Sequence, residues 1–475
     1  MVRTRFAPSP TGFMHLGNLR SALYAYLFAK NSKGTFLLRI EDTDQTRQVE
    51  GALEAIYRGL ETAGIKYAEG PNVGGDYGPY IQTQRRDLYK KYALELIEKG
   101  GAYFCFCSKS EEEMQDDEED IKGKKPHRCD CKNLPKTEIE EKIKSDHVIR
   151  GVVPKGTTTF SDEVFGDITV DNDTLEEGVL LKSDGLPTYN FANVVDDHLM
   201  EITHVIRGSE YLSSSPKYNI IYKNFGWDIP KYIHLPLIVN ENKEKLSKRR
   251  GDAGFEDLLE EGFLPEAVVN YIAMLGWSPA TNQEMFTLQE LEQAFSLSGI
   301  SKSPSVFDKV KLTWFNAEYI KKMDTDKYFD MVLPYLSESI KTPIDLKRVA
   351  GYTQSRVNFV KEVSDLVDFI DELPNYDIEL YTHKKMKTDP ENSLVSLKEI
   401  LEPLKNLQHF SVESVKDVIN KKVEEMGVKN SLILWPIRTA VSGKPTSFCG
   451  AAELLELLGK EESIRRIEIG IEKLT

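Results

Sequence analysis

Apolar positions along the chain recur with two periods, and each change of period predicts a change of element. Residues 2–7 interleave apolar side chains with Arg and Thr, which is typical of a short strand. Apolar residues at 19, 22, 23, 26 and 27 then follow a helical period, and residues 35–40 are a mostly apolar strand. Strand, helix and strand in this order predict an α/β fold with a doubly wound parallel sheet.

The same patterns predict the elements further along the chain. Helices are expected over residues 50–64 and 86–99, and β segments over 147–153, 165–170 and 179–182. Buried α/β character returns at 187–198, with strands over 203–211 and 233–239, so residues 70–185 are predicted to be an insertion. From about Ser301 the β pattern disappears, and an all-α region is predicted, with helices at 307–316, 328–336, 346–353, 360–369, 394–407, 415–426 and 451–458.

Composition narrows the class of protein. A chain of 475 residues is expected to form about two to four domains. Its 61 Lys and Arg against 76 Asp and Glu give a net charge of −15, which argues against a globally basic nucleic-acid binder but leaves local basic faces open. There is neither a long apolar run nor a signal pattern, so we expect a cytoplasmic protein without membrane contact.

Three segments that follow predicted strands carry candidate chemistry. Pro8, Pro10 and Gly12 make a turn that bears His15 at the start of a helix, where a phosphate can bind backbone N–H groups; an ordinary βα connection is the alternative. Residues 41–44 are acidic, and form either part of the same site or a solvated helix cap. Residues 245–249, Lys-Leu-Ser-Lys-Arg, suit a mobile phosphate clamp or a surface basic turn.

Four of the five cysteines form two Cys-x-Cys pairs, Cys105 with Cys107 and Cys129 with Cys131. Four thiolates complete a tetrahedral zinc site, and clustered cysteines in a reducing compartment indicate metal before disulfide. His127 is an alternative to Cys129 as the fourth ligand. A degenerate site that folds without metal is the other possibility that the pattern leaves open.

Several of these motifs together resemble a known family. Residues 8–12 with 14–17 resemble the first signature of class I aminoacyl-tRNA synthetases, and residues 245–249 resemble the second. The sequences of residues 6–12, 39–44 and 192–198 are similar to those of bacterial-type glutamyl-tRNA synthetases, and the similarity extends over essentially the whole chain.

The resemblance implies a domain plan. A Rossmann-type catalytic domain would span residues 1–310, with the 70–185 insertion binding the tRNA acceptor end, a zinc element at 105–131 and a stem-contact region at about 240–320. An all-helical anticodon-binding domain would span 321–475. Arg356 is a weak match to an anticodon-sensing arginine, and the lysines at 384–387 and 421–422 are either phosphate contacts or solvated helix faces.

The resemblance also implies a reaction and residue roles. Glutamate would attack the α-phosphate of ATP, supplied with Mg²⁺, and the glutamyl group would pass from the adenylate to the terminal adenosine of tRNA(Glu), with activation dependent on tRNA. The catalytic residues would be His15, Gly17, Lys245 and Lys248. Glutamate would be bound by Arg5, Ser9, Glu41, Tyr189, Asn193 and Arg207, with Arg5 or Arg207 as the carboxylate fork. ATP would be bound by Ala7, His15, Gly17, Glu210, Tyr211, Leu237, Lys245 and Lys248.

Other functions within this family, and one outside enzymes, are alternatives to this activity. A non-discriminating synthetase would also charge tRNA(Gln). Two other relatives fit less well: a glutamine-specific enzyme would usually carry a β-barrel anticodon domain, and a truncated tRNA-modifying relative lacks the C-terminal third. A non-catalytic tRNA-binding paralogue would be expected to have lost His15, Gly17, Lys245 or Lys248, which are all present. A monomer is expected.

Overall fold

The chain divides into two compact units, Met1–Leu312 and Thr313–Thr475. A computed structural model describes residues 1–12, 14–107, 128–246 and 254–475. Lys248, with its neighbours Ser247 and Arg249, and the alternative ligand His127 lie outside the described residues. Within those residues no helix is long and apolar enough to cross a membrane.

The first unit is built on parallel strands, as the sequence predicts. Its strands include β1 Arg3–Phe6, β2 Thr35–Leu38, β5 Thr157–Asp162, β6 Gly166–Asp171, β8 His204–Gly208 and β9 Lys231–Leu235. β1 pairs in parallel with β2, and the backbone N–H of Thr203, just before β8, donates to the Arg3 carbonyl at the start of β1. β8 pairs in parallel with β9, which also pairs with β5.

A separate antiparallel sheet comes from the predicted insertion. Its order is β3–β4–β7, with β3 Ala102–Cys105, β4 Val148–Gly151 and β7 Val179–Leu181. The β5–β6 hairpin belongs to the same stretch of chain but lies in the sheet with β9 and β8. The insertion therefore contributes to two sheets.

Helices cover these sheets and supply most of the apolar core. One buried cluster joins Tyr89, Leu96, Phe191, Tyr222 and Phe225, from three helices, to the β3–β4–β7 sheet. The helices of this unit are α1 Leu16–Asn31, α2 Ala52–Thr62, α3 Arg86–Glu98, α4 Lys136–Lys142, α5 Tyr189–Leu199, α6 Ser215–Phe225, α7 Phe255–Glu261, α8 Pro265–Met274 and α9 Leu288–Ala294.

Three strand predictions need correction. β5 was not predicted, because its inward positions include Thr158 and Asp162 and so lack an apolar alternation. The strand expected over 233–239 breaks at Pro236, which cannot donate to a ladder, into β9 and the short β10 Ile238–Val239. The expectation that β structure ends at Ser301 is wrong, since β11 Ser305–Val306 pairs in parallel with β10.

The second unit is helical, as predicted. The pattern missed two helices, because one contains Pro436 and the other Gly470, which weaken the helical signal. The helix that enters this unit is α10 Lys309–Lys322. It is followed by α11 Thr325–Ser339, α12 Leu346–Thr353, α13 Val363–Val367, α14 Pro390–Lys405, α15 Val412–Met426, α16 Ser431–Ser442, α17 Ala451–Leu458 and α18 Lys460–Leu474.

Candidate active site

The segments that follow β1 and β2 lie side by side. The backbone N–H of Arg39 donates to the Phe6 carbonyl at 3.0 Å, and that of Glu41 donates to the Pro8 carbonyl at 3.0 Å. These bonds extend the parallel ladder past both strand ends. The turn that carries His15 and the acidic segment at 41–44 are thereby brought to one edge of the sheet, where parallel α/β sheets bind ligands.

A buried ionic network lies at this edge. Arg39 is fully buried and donates to Glu41 at 2.9 Å and to Asp197 at 2.8 Å. Arg5 donates to both oxygens of Asp197, at 3.1 and 3.2 Å. Burial alone would raise the pKa of Asp197, but Arg5 and Arg39 outweigh it and hold that pKa below its ordinary value. The Asp197 carboxylate thus fixes both arginines.

The buried polar atoms of this region that have no hydrogen-bond partner among the described residues include one acceptor and one donor of predicted site residues. They are Oε2 of Glu41, an acceptor, and Nδ2 of Asn193, a donor. Burial raises the pKa of Glu41, although Arg39 and Arg5 act against it. Buried polar groups are normally paired, so this acceptor and this donor suit a ligand that offers a donor to Glu41 and an acceptor to Asn193.

Arg207 is a second sign of a missing ligand. Its guanidinium is buried and lies near the rings of Tyr211, Tyr218 and Tyr232, with its carbon 5.1, 4.6 and 5.5 Å from the three centroids. Its hydrogen-bond partners are the neutral groups His234 and Ser215, and it forms no ion pair with a carboxylate in the described part of the chain. A buried cation in this state favours the binding of an anion.

The tyrosine predicted from the same pocket lies beside this arginine. Tyr189 begins α5, and its ring centroid is 5.7 Å from that of Tyr211. Ser9 is exposed in the turn after β1. Arg5, Glu41, Tyr189, Asn193, Arg207 and Tyr211 therefore all belong to elements that converge at the carboxyl ends of β1, β2 and β8.

His15 caps the first helix. Its Nδ1 accepts the backbone N–H of Asn18 at 3.2 Å, and the ring is exposed. A Cβ placed on Gly17 would lie 3.1 Å from both Cε1 and Nδ1 of that ring. Any side chain at Gly17 would therefore displace the His15 ring. This is a second reason for glycine at this position, besides the space for adenosine that the resemblance implies.

The remaining ATP-binding candidates follow strands of the first unit or begin the lysine-rich loop. Lys245 Nζ is 3.9 Å from Glu210 Oε1, with both side chains partly exposed. Ala7 lies just beyond β1, and Leu237 lies between β9 and β10, where its carbonyl accepts from Ser305 at 2.9 Å. The structure carries no information on the second lysine of the motif, Lys248.

The four cysteines form one cluster, as predicted. Cys105 ends β3, and Cys129 and Cys131 flank the start of a short 3₁₀ turn. The Sγ atoms all lie within 4.8 Å of one another, with Cys105–Cys129 at 3.7 Å, Cys107–Cys129 at 3.1 Å and Cys107–Cys131 at 3.9 Å.

These sulfur distances suit a zinc ion. Tetrahedral Zn–S bonds of about 2.3 Å require sulfur atoms roughly 3.8 Å apart. The backbone N–H of Cys131 also donates to Cys129 Sγ at 3.3 Å, a bond that stabilises a thiolate ligand. The donor set therefore fits a structural Zn²⁺, with Cys129 as the fourth ligand among the described residues.

The candidate anticodon residues lie in the second unit. Arg356 is exposed after α12, and the lysines of 384–387 are exposed in the loop before α14. Lys422 bonds Glu399 at 3.4 Å and Glu425 at 2.9 Å, and Lys421 is 3.9 Å from Glu425. These glutamates would compete with phosphate for Lys421 and Lys422.

Some residues that hold the site were not singled out from the sequence. Arg39 and Asp197 lie within the motifs that resemble the family, but no role was predicted for either. His234 lies within a predicted strand. Asp162 and Ser215 had no signal at all, because their partners are distant in sequence. A buried histidine flanked by apolar strand residues was the one local sign.

Comparison with known proteins shows the family to which the chain belongs. The family model for the catalytic domain of class I tRNA synthetases (E and Q) matches residues 1–314, and that for the anticodon binding domain matches residues 327–471. The chain therefore belongs to the class I aminoacyl-tRNA synthetases of the glutamate and glutamine group.

Within that group its relatives are glutamate–tRNA ligases. The one from Clostridium novyi (strain NT) is 55% identical over 480 residues, which cover 100% of this chain and 98% of the relative; that of Clostridium tetani (strain Massachusetts / E88) is 54% identical over 478 residues, with the same coverage. The crystal structure of a glutamate tRNA ligase from Elizabethkingia meningosepticum, in complex with its amino acid, superposes with a TM-score of 0.86 at 35% identity and covers 100% of both chains.

Proposed function

We propose that this chain is a glutamate–tRNA ligase. One oxygen of the glutamate α-carboxylate attacks the α-phosphate of ATP, a new P–O bond forms, and pyrophosphate leaves. A hydroxyl of the terminal adenosine of tRNA(Glu) then attacks the acyl carbon and displaces AMP. Neither step needs an enzyme nucleophile, so catalysis consists of positioning and charge stabilisation.

The observation that carries the proposal is the set of unpaired groups at the sheet edge. Glu41 Oε2 would accept the α-ammonium group of glutamate, and Asn193 Nδ2 would donate to a carboxylate. Arg207 would bind the second carboxylate as a fork, since Arg5 already forms a two-bond pair with Asp197. A ligand with one cation and two anions satisfies all three groups, and glutamate has that charge pattern.

The phosphate-binding half rests on His15, Gly17, Lys245 and Lys248. His15 at the start of α1 would donate to phosphate oxygens as negative charge develops there. Lys245 and Lys248 would stabilise the departing pyrophosphate, and Mg²⁺, which accompanies ATP, neutralises part of the phosphate charge. Ala7, Glu210, Tyr211 and Leu237 would surround the adenosine.

We further propose how the chain divides its contacts with tRNA. The β3–β4–β7 sheet with the cysteine cluster, within residues 70–185, would bind the acceptor end, and residues 240–320 would contact the stem. The region 321–475, with Arg356, would bind the anticodon. The protein would act as a cytoplasmic monomer, with a structural Zn²⁺ on Cys105, Cys107, Cys129 and Cys131.

One experiment tests the activity. ATP–pyrophosphate exchange is measured with glutamate, with and without tRNA, and purified tRNA(Glu) and tRNA(Gln) are then charged. Exchange is expected only in the presence of tRNA. An absence of exchange under every condition would leave only the non-catalytic tRNA-binding reading, and charging of both tRNAs would make the enzyme non-discriminating.

A variant tests the lysine-rich loop in the same assay. Lys248→Ala should lower the rate of adenylate formation far more than it raises the KM for glutamate, because the lysine would act on the transition state. Equal losses in both quantities would contradict that role.

A further inference from the structure

A row of buried polar side chains connects the β5–β6 hairpin to Arg207. Asp162 is the last residue of β5, His234 lies on β9, and Arg207 lies on β8. Asp162 is opposite Tyr232 in the parallel pairing of β5 with β9. The three side chains are buried, with exposed fractions of 2%, 0% and 6% for Asp162, His234 and Arg207.

The hydrogen bonds of Asp162 define the state of the His234 ring. Its Oδ2 accepts from the backbone N–H of His234 at 3.0 Å and lies 2.7 Å from the ring Nδ1, while Oδ1 accepts from the N–H groups of Val164 and Phe165. A carboxylate with these donors is ionised and can only accept. Nδ1 must therefore carry the proton, which leaves Nε2 of the neutral ring as an acceptor.

That acceptor faces Arg207. The Nε of Arg207 is 3.2 Å from His234 Nε2, and its Nη2 donates to Ser215 Oγ at 2.8 Å. Ser215 Oγ in turn donates to the Tyr211 carbonyl at 2.9 Å. Ser215 Oγ also lies 3.2 Å from His234 Nε2. Arg207 Nη1 makes no hydrogen bond with any of the described residues.

The partners of Arg207 hold its orientation but leave its charge unneutralised. A carboxylate in the place of His234 would also fix the guanidinium, but it would compete with an incoming carboxylate for the same cation. A neutral imidazole does not compete. The carboxylate of Asp162 lies one ring further away, where it orients the imidazole.

We propose that Asp162 and His234 are positioning residues for glutamate recognition: Asp162 selects the His234 tautomer, and His234 holds Arg207 so that its free edge binds a carboxylate of glutamate. This inference rests on the proposed function. It also assigns part of the glutamate pocket to the β5–β6 hairpin, which lies between the cysteine cluster and α5 in the chain.

Two substitutions at one position separate the two bonds of His234. In His234→Asn the amide reaches the place of Nδ1 and can still donate to Asp162, but the acceptor of Arg207 Nε is lost. In His234→Gln the amide oxygen reaches the place of Nε2 and can accept from Arg207. Loss of a hydrogen bond to a charged group should raise the KM for glutamate about tenfold or more in His234→Asn.

Rescue by the longer amide is the decisive readout. His234→Gln should keep the KM for glutamate within about threefold of the wild-type value, and the KM for ATP should change less than about twofold in both variants. His204→Asn and His204→Gln are matched controls, because His204 lies on the neighbouring strand and bonds Thr203, not Arg207. Both controls should leave the two KM values unchanged.

Equal KM values for glutamate in His234→Asn and His234→Gln would overturn the proposal, as would equal changes in the KM for ATP. If His234→Asn does not fold, as judged by urea unfolding, Ser215→Ala removes the other acceptor of Arg207 and should raise the KM for glutamate several-fold. An unchanged KM in Ser215→Ala would then overturn it. A wild-type protein that does not charge tRNA with glutamate would instead reject the proposed function itself.

Discussion

Two buried arginines, one in each unit, are held in opposite ways. Arg466 in α18 donates to the carbonyl oxygens of Phe369, Val441 and Ile370 at 2.8 Å each, and to Glu462 at 2.6 Å. Its guanidinium is satisfied and its charge is paired. Arg207 has two neutral hydrogen-bond acceptors and no carboxylate partner among the described residues. Burial of an arginine is therefore not in itself a sign of a binding site.

The largest effect is expected at Arg207. Arg207→Gln should lower kcat/KM for glutamate by about 10²–10³-fold, since it removes a charge-assisted fork to a buried carboxylate. Stability should change little, because the substitution also removes an unpaired buried charge. Pyrophosphate exchange and urea unfolding measure the two quantities. A large loss of stability with a normal KM would make Arg207 structural and erase its difference from Arg466.

The satisfied arginine should behave in the reverse way. Arg466→Leu leaves three buried carbonyl oxygens without donors and should lower the free energy of unfolding by about 3 kcal/mol. The KM for glutamate should remain at its wild-type value, because Arg466 belongs to the Thr313–Thr475 unit. Urea unfolding followed by circular dichroism, with Arg465→Leu as a control at an exposed neighbouring position, checks the prediction. Equal destabilisation by both variants would contradict it.

The cysteine cluster is a third arrangement, in which four side chains are grouped closely enough to hold a metal ion. Wild-type protein in reducing buffer should contain one zinc per chain, and Cys129→Ser should contain much less after dialysis against a chelator, because a neutral hydroxyl replaces a thiolate. Emission spectrometry of metal content measures this. Cys449→Ser, a cysteine outside the cluster, is the control. A metal-free wild-type protein would exclude the four-thiolate site.

The smallest effect concerns pH. Burial lowers the pKa values of His198, His204 and His234 below the ordinary 6.5. The unfolded chain therefore takes up protons before the folded one does, so the stability contributed by these neutral rings is complete above pH 6.5 and declines as the pH falls below it. The urea midpoint of the first unit should be lower at about pH 5.5 than at 7.5.

The control for the pH profile is His204→Gln. Its glutamine cannot take up a proton, so the urea midpoint should depend less steeply on pH than in the wild-type protein. A midpoint that rises on acidification would show that the rings are not kept neutral in the folded state. Burial raises the pKa of Glu41, so its effect on stability has the opposite pH dependence to that of the histidines. Glu41 is present in both the wild-type protein and His204→Gln, so it does not affect their difference.

Local patterns were sufficient for much of this structure. The turn with His15, the two Cys-x-Cys pairs and the helices α12 and α17 were predicted from spacing that neighbours in sequence determine. The resemblance supplied the glutamate and ATP sets, which no periodicity could have produced. Their roles remain predictions that the variants above test.

Other features could not be predicted because their causes are not local. β5 alternates buried and exposed residues, but Thr158 and Asp162 occupy two of its inward positions, and their partners are Asn172 and His234. Similarly, Gly470 is required in α18 because a Cβ there would lie 2.7 Å from the Tyr381 hydroxyl. In both cases a tertiary contact replaces the apolar residue or helix former that a sequence pattern needs.

The tyrosines around Arg207 have a consequence for accuracy in translation. Glutamine has the length of glutamate, but its side chain ends in an amide, whose N–H groups would meet the N–H groups of the guanidinium. The acceptors His234 Nε2 and Ser215 Oγ already bond Arg207, and the rings of Tyr211, Tyr218 and Tyr232 enclose its guanidinium. A mispaired donor in a dry site costs about 1–3 kcal/mol or more. The same enclosure that keeps the cation without a carboxylate partner would therefore disfavour glutamine.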